Sequence, residues 1–105
     1  MNNSSQALAL LLAHSPSITE HMDYYAMIAA IYEKLNQPLH AAQIYRDLVS
    51  IAPDNGLYWV GLGLSLEKMN KSNEALYAYQ RAVKAQHLKP GLASFVESRI
   101  RKLQI

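Results

Sequence analysis

Histidines 14, 21, 40 and 87 are the side chains best suited to hold a metal or move a proton near neutral pH. Their spacing supports neither role: no two lie at i,i+4, and no cysteine or carboxylate set accompanies them. They are read as surface residues, with no metal site and no cofactor expected. Serine, aspartate and glutamate are present, but there is no glycine-rich phosphate loop, strained nucleophile turn or carboxylate pair at fixed spacing. The residue types point to a chain that binds and does not catalyse. Tyrosine is frequent, with seven copies. Tyr25, Tyr32, Tyr45 and Tyr79 fall at recurring apolar positions that core packing explains. Tyr24 and Tyr58 each precede a core aromatic, and either core filling or a helix edge suits them.

Those side chains have to be placed by a chain of 105 residues, half of them apolar and 17% charged, which is one domain able to bury a core. The formal charge is only +2, but it is unevenly spread. Residues 81–105 carry six Lys or Arg against Glu97, whereas residues 1–80 carry four against seven acids. The basic end reads as a solvated face or as a surface for an acidic partner or anionic lipid. No aromatics interleave with its charges as single-stranded nucleic acid requires, so no nucleic-acid partner is expected. Without cysteine there are no disulfides, and the compartment stays open. The apolar run from Ala7 to Ala13 is far below the roughly 20 residues of a membrane span, so no direct insertion is expected and the fragment reads as soluble.

Order appears as an internal repeat. Laid over residues 56–89 without a gap, residues 22–55 give seven identities: Tyr24/Tyr58, Glu33/Glu67, Lys34/Lys68, Asn36/Asn70, Ala41/Ala75, Tyr45/Tyr79 and Val49/Val83. Chance would give roughly two. Tyr25, Ile28, Ala29, Tyr32 and Leu35 recur at steps of three and four, which predicts a helix over 23–35. Asn36 is its expected left-handed stop, and Pro38 suits the first turn of a second helix over 38–51. The second repeat predicts helices over 56–69 and 73–86, with Asn70 as stop and Ser72 as N-cap. Pro53-Asp54-Asn55 is a turn that caps the helix after it. Small Ala29, Gly61, Gly63, Ala41, Ala75 and Ala82 predict close helix approach, with Tyr25, Trp59, Tyr45 and Tyr79 filling the adjoining space. A helix over 90–104 lacks the aromatic and glycine and is read as a cap; a Leu-rich helix over 4–14 is read as the second half of an incomplete preceding repeat. The array thus begins in mid-pattern, so the chain is expected to be part of something longer.

A 34-residue repeat with Trp59, Leu62-Gly63, Ala75 and Tyr79 at these offsets resembles the tetratricopeptide repeat. The resemblance implies an all-α solenoid of antiparallel helix hairpins: repeat one 22–55, repeat two 56–89, a partial-repeat helix before them and a capping helix after. It also implies a ligand groove on the inner faces of the first helices, at Asp23, Ala26, Ala30, Glu33 and Lys34, then Leu57, Val60, Leu64, Glu67 and Lys68. Ala26, Ala30, Val60 and Leu64 stand where relatives that clamp chaperone tails carry Lys and Asn, so an amphipathic helix or extended apolar segment is the expected occupant.

The run Met22 to Gln37, the run Ala52 to Glu67 and the ending Val96-Glu-Ser-Arg-Ile-Arg101 further resemble the C-terminal repeat domain of the MshN family of MSHA pilus biogenesis proteins. That likeness implies a protein-binding scaffold or adaptor in type IV pilus assembly at the periplasmic face of the inner membrane. The alternative is a self-associating structural scaffold of another envelope or secretion system, joined as a homo-oligomer through Leu8, Leu11 and Leu12 of the N-terminal helix.

Overall fold

A computed structural model describes residues 4–6, 17–85 and 88–105. Among the described residues five helices can be followed along their length, with no strand: α1 (Met22–Lys34), α2 (Pro38–Ile51), α3 (Gly56–Lys68), α4 (Ser72–Lys84) and α5 (Pro90–Leu103). Residues 4–6 are helical, while the rest of the expected N-terminal helix, including Leu8, Leu11, Leu12 and His14, lies outside the described residues, as does His87. Helices α1, α3 and α5 begin at Met22, Gly56 and Pro90, and α2 and α4 at Pro38 and Ser72, each step being 34 residues. Successive helices pack on one another, and α1 also meets α3. The fold is the expected all-α, tetratricopeptide-type solenoid of antiparallel hairpins.

Both hairpins close by the same device. Asn36 and Asn70 take φ of 58° and 60°, the left-handed region that asparagine enters at low cost. This turns the Gln37 N–H onto the Tyr32 carbonyl (2.9 Å) and the Lys71 N–H onto that of Leu66 (3.0 Å). The Asn36 and Asn70 N–H groups donate to Glu33 and Glu67, completing two Schellman ends that satisfy carbonyls otherwise orphaned at a helix terminus. The chain then re-enters a helix at once. Pro38 is at the first position of α2, as expected, and by the same register Ser72 is at the first position of α4. The expectation that Ser72 caps α4 is therefore corrected: the N-cap is Lys71, and no side chain caps this end. The same helix stops at Lys84 and not at 86, because Ala85 turns to extended backbone.

Asn55 does cap α3, its Oδ1 accepting from the N–H groups of Leu57 (3.0 Å) and Tyr58 (3.4 Å). Trp59 Nε1 donates to the Pro53 carbonyl at 2.8 Å, tying the turn to the helix it begins. The core centres on α3, which buries nine residues from Gly56 to Leu66. A Cβ at Gly61 would lie 2.3 Å from Tyr45 Cζ, and one at Gly63 would lie 2.6 Å from Tyr79 Cε1. Two tyrosines from α2 and α4 therefore rest on the α3 backbone, and packing outweighs the roughly 1 kcal/mol that mid-helix glycine costs. Ala29, Ala41, Ala75 and Ala82 are wholly buried. Tyr25 and Tyr32 pack half-buried against this core. The open choice for Tyr24 and Tyr58 divides: Tyr58 is buried, whereas Tyr24 is part-exposed and edge-on to Tyr25 at 5.5 Å.

Candidate functional site

The first helices of the hairpins, α1 and α3, lie side by side with α5 as the third in the row, and polar links cross each junction. Tyr58 on α3 is hydrogen bonded to Asp23 on α1; burial, then that carboxylate's charge and its bond, push the phenol above its ordinary range. Glu33 on α1 accepts from Ser65 Oγ (3.2 Å) and faces Lys68 Nζ at 3.8 Å, both on α3. Glu67 on α3 accepts from the Arg99 guanidinium on α5 and from the Tyr79 hydroxyl on α4 at 2.8 Å. Residues 33 and 67 are one repeat apart, as are 65 and 99, so the Glu33–Ser65 link recurs as Glu67–Arg99 with a cation replacing the hydroxyl.

Burial drives the Glu33 carboxyl above its usual 4.5, against the opposing pull of the Ser65 bond and of Lys68. Ser65 has one hydroxyl proton and two acceptors, Glu33 and the Gly61 carbonyl at 3.0 Å. A protonated Glu33 can donate to Ser65 while Ser65 donates to Gly61, so the neutral acid satisfies the pair better than the carboxylate. Burial first, then the Glu33 charge, raises both Tyr45 and Tyr79 to about 12.

The ten groove positions inferred from resemblance thus divide. Asp23, Glu33, Glu67 and Lys68 are engaged in links between helices. Val60 is 5% exposed and belongs to the core, and Ala26 and Leu64 pack partly buried against it. Ala30 and Lys34 are exposed, and Leu57 is 61% exposed. Leu64, Glu67 and Lys68 meet Phe95 and Arg99 of α5 around an open cleft of about 330 Å³. Phe95 and Arg99 lie on the helix that lacks the repeat's aromatic and glycine and so reads as a cap, which keeps them out of the inferred groove positions. Their offset of 34 from Gly61 and Ser65 was the available signal.

A larger cleft, about 420 Å³, opens between α2 and α4 over α3. Val49, Leu62, Leu66 and Ala78 give it an apolar lining, Trp59 and Tyr77 meet edge to face at 6.0 Å, and the Arg46–Glu74 ion pair (3.2 Å) bridges its walls. The Arg81 guanidinium lies 5.0 Å from the centre of the Trp59 ring. No motif in the sequence marks this side. His21 and His40 are exposed, His40 stacking on Tyr32 at 5.0 Å. Among the described residues no three His, Asp or Glu side chains gather as a metal set, and no helix is long and apolar enough to cross a membrane.

Residues 23–55 match the tetratricopeptide repeat family. A tetratricopeptide repeat is thus present in the first hairpin, and such repeats are in general non-catalytic modules that bind other proteins. No curated protein matches the chain.

Proposed function

We propose that this chain is a non-catalytic docking module whose α1–α3–α5 side receives an apolar segment of a partner protein. The observation that carries the reading is the apolar strip formed by exposed Ala30 and Leu57 with half-buried Leu64, bordered by the Glu33–Lys68 and Glu67–Arg99 pairs. Apolar floor and charged rim suit an amphipathic helix or an extended segment, which buries its apolar face and leaves its polar edge to the rim. The groove is shallower than its positions in sequence suggest, because Val60 is spent on the core.

The partner we assign is a component of a type IV pilus assembly of the MSHA kind, met at the periplasmic face of the inner membrane. This narrower reading is supported by the runs Met22 to Gln37 and Ala52 to Glu67, which resemble the MshN family. The test is site-specific photocrosslinking in cells that assemble such pili, with the probe at Leu57 or Ala30. Adducts with a pilus assembly protein, lost when Leu64 is changed to Asp in a chain that keeps its helical spectrum, are the expected result. Adducts with none, or adducts indifferent to Leu64→Asp, would remove the reading.

A further inference from the structure

One residue recurs without change down the α1–α3–α5 row. Lys34, Lys68 and Lys102 stand 34 residues apart, each exposed and each in the last turn of its helix. Each follows Ala30, Leu64 or Ser98 by four residues, so it sits on the same helix face one turn further on. The lysines therefore form a second row, parallel to the apolar strip and along one flank of it. Lys68 and Leu64 already share the walls of the α3–α5 cleft.

The acids beside the lysines do not cancel this row. Glu33 and Glu67 turn into the stack, the first onto Ser65 and the second onto Tyr79 and Arg99, and their side chains are 16% and 23% exposed against 47% for Lys68. At the opposite ends of α1 and α3 the charged residues are Glu20, Asp23 and Asp54, so charge changes sign from one flank of the strip to the other. A cation anywhere in a last turn offsets the helix dipole. That need alone does not explain the row, because α2 ends without a cation while these three helices keep theirs at one register.

Spacing selects the occupant. Packed helix axes are about 8–10 Å apart, which sets the step between neighbouring lysines. In an α-helix laid along the row, residues i and i+7 lie on one face about 10.5 Å apart, a near match. In a β-strand, i+2 falls short at about 6.7 Å and i+3 points to the other face. An anionic lipid surface is the poorer match, since it would impose no register on the lysines.

We propose that the lysine row reads acidic residues spaced seven apart on an amphipathic helix of a partner protein, whose apolar face lies on the Ala30–Leu64 strip. This rests on the docking role given under Proposed function and adds which edge of the partner helix is charged, and with what sign.

The probe is a labelled helical peptide of about 18 residues, long enough to span three rungs, with Glu at every seventh position and Leu on the adjoining face. It is titrated against the whole chain by fluorescence anisotropy at low salt. Saturable binding is expected, about tenfold weaker for a peptide with Gln in place of Glu, and about tenfold weaker for the chain carrying Lys34→Glu and Lys102→Glu. Neither lysine has an ion-pair partner among the described residues, so thermal unfolding of that chain should be unchanged. A peptide whose Glu residues are moved off the shared face, or one with a proline at its centre, should bind no better than the Gln form. Leu64→Asp should abolish binding of the Glu and Gln peptides alike. Glu and Gln peptides that bind equally, and are both lost with Leu64→Asp, would leave the docking role standing and overturn the lysine row. Absence of saturable binding overturns it too, as does full binding by the displaced or proline peptide, or binding indifferent to Leu64→Asp. Capture by anionic vesicles that Lys34→Glu with Lys102→Glu abolishes, with no peptide bound, would give the row to a lipid surface instead.

Discussion

Helices α3 and α5 hold the same place in successive repeats, yet α3 buries nine of its residues and α5 only Val96. The register differences account for this. Trp59, Gly61 and Glu67 in α3 become Ala93, Phe95 and Arg101 in α5. The tryptophan that is bonded to the turn before it is lost, a side chain stands where Tyr45 rests on bare backbone, and an acceptor for the covering helix becomes a cation. Phe95 is 41% exposed and forms one wall of the cleft with Leu64 and Arg99, where Gly61 at the same register is buried. Depth in this stack is set by which residues admit a neighbouring ring as much as by hydrophobicity.

Making α3 resemble α5 should therefore be costly, and the reverse cheap. Trp59→Ala, the largest change, removes a buried ring and its bond to Pro53 and should lower unfolding stability by about 3–5 kcal/mol, measured by urea denaturation. Gly61→Ala comes next: the helix gains propensity, but the Tyr45 ring must move, for a net loss of about 1–3 kcal/mol. Phe95→Ala at the matching position should cost less than about 1 kcal/mol, and a cost equal to that of Gly61→Ala would break the comparison. Glu67→Gln weakens the Arg99 pair while keeping an acceptor for Tyr79, and about 1–2 kcal/mol is expected. The same denaturation curves check both.

The smallest effect is one of pH. Glu33 has a raised carboxyl, so its contribution to stability is fully present below the ordinary value of 4.5 and is lost as pH rises through the folded value. Glu33→Gln cannot ionise and keeps an amide to pair with Ser65. The variant should gain on the parent as pH rises through the carboxylate range, by less than about 1 kcal/mol. Parallel thermal melts at acid and neutral pH measure the difference, and a gap that narrows with rising pH would show that the Lys68 attraction outweighs burial.

Much of this was legible in the sequence because the relevant forces are local. Asn36, Asn70, Pro38 and Asn55 announce their backbone conformations whatever surrounds them, and the helix period marked the faces that meet. Ser72 misled because a serine before an apolar run is a common N-cap, whereas the Schellman turn at Asn70 leaves room for Lys71 alone. The site was less legible. The inner-face positions of a repeat class place Val60 and Leu57 alike, but only packing decides that one is core and the other surface. The cleft between α2 and α4 depends on the spacing of two helices, which no single segment encodes, and α5 passed for a cap because Phe95 and Arg101 hide its register.

The account turns on two rings seated on two glycines, Tyr45 on Gly61 and Tyr79 on Gly63. A double-mutant cycle reads that contact directly, pairing Gly61→Ala or Gly63→Ala with Tyr45→Ala or Tyr79→Ala and measuring unfolding free energies. The matched pairs should couple by about 1–2 kcal/mol, because a methyl costs nothing once the ring it strikes is gone, and the crossed pairs by less than about 0.5 kcal/mol. Equal coupling in matched and crossed pairs, or none in either, would contradict the stacked hairpins.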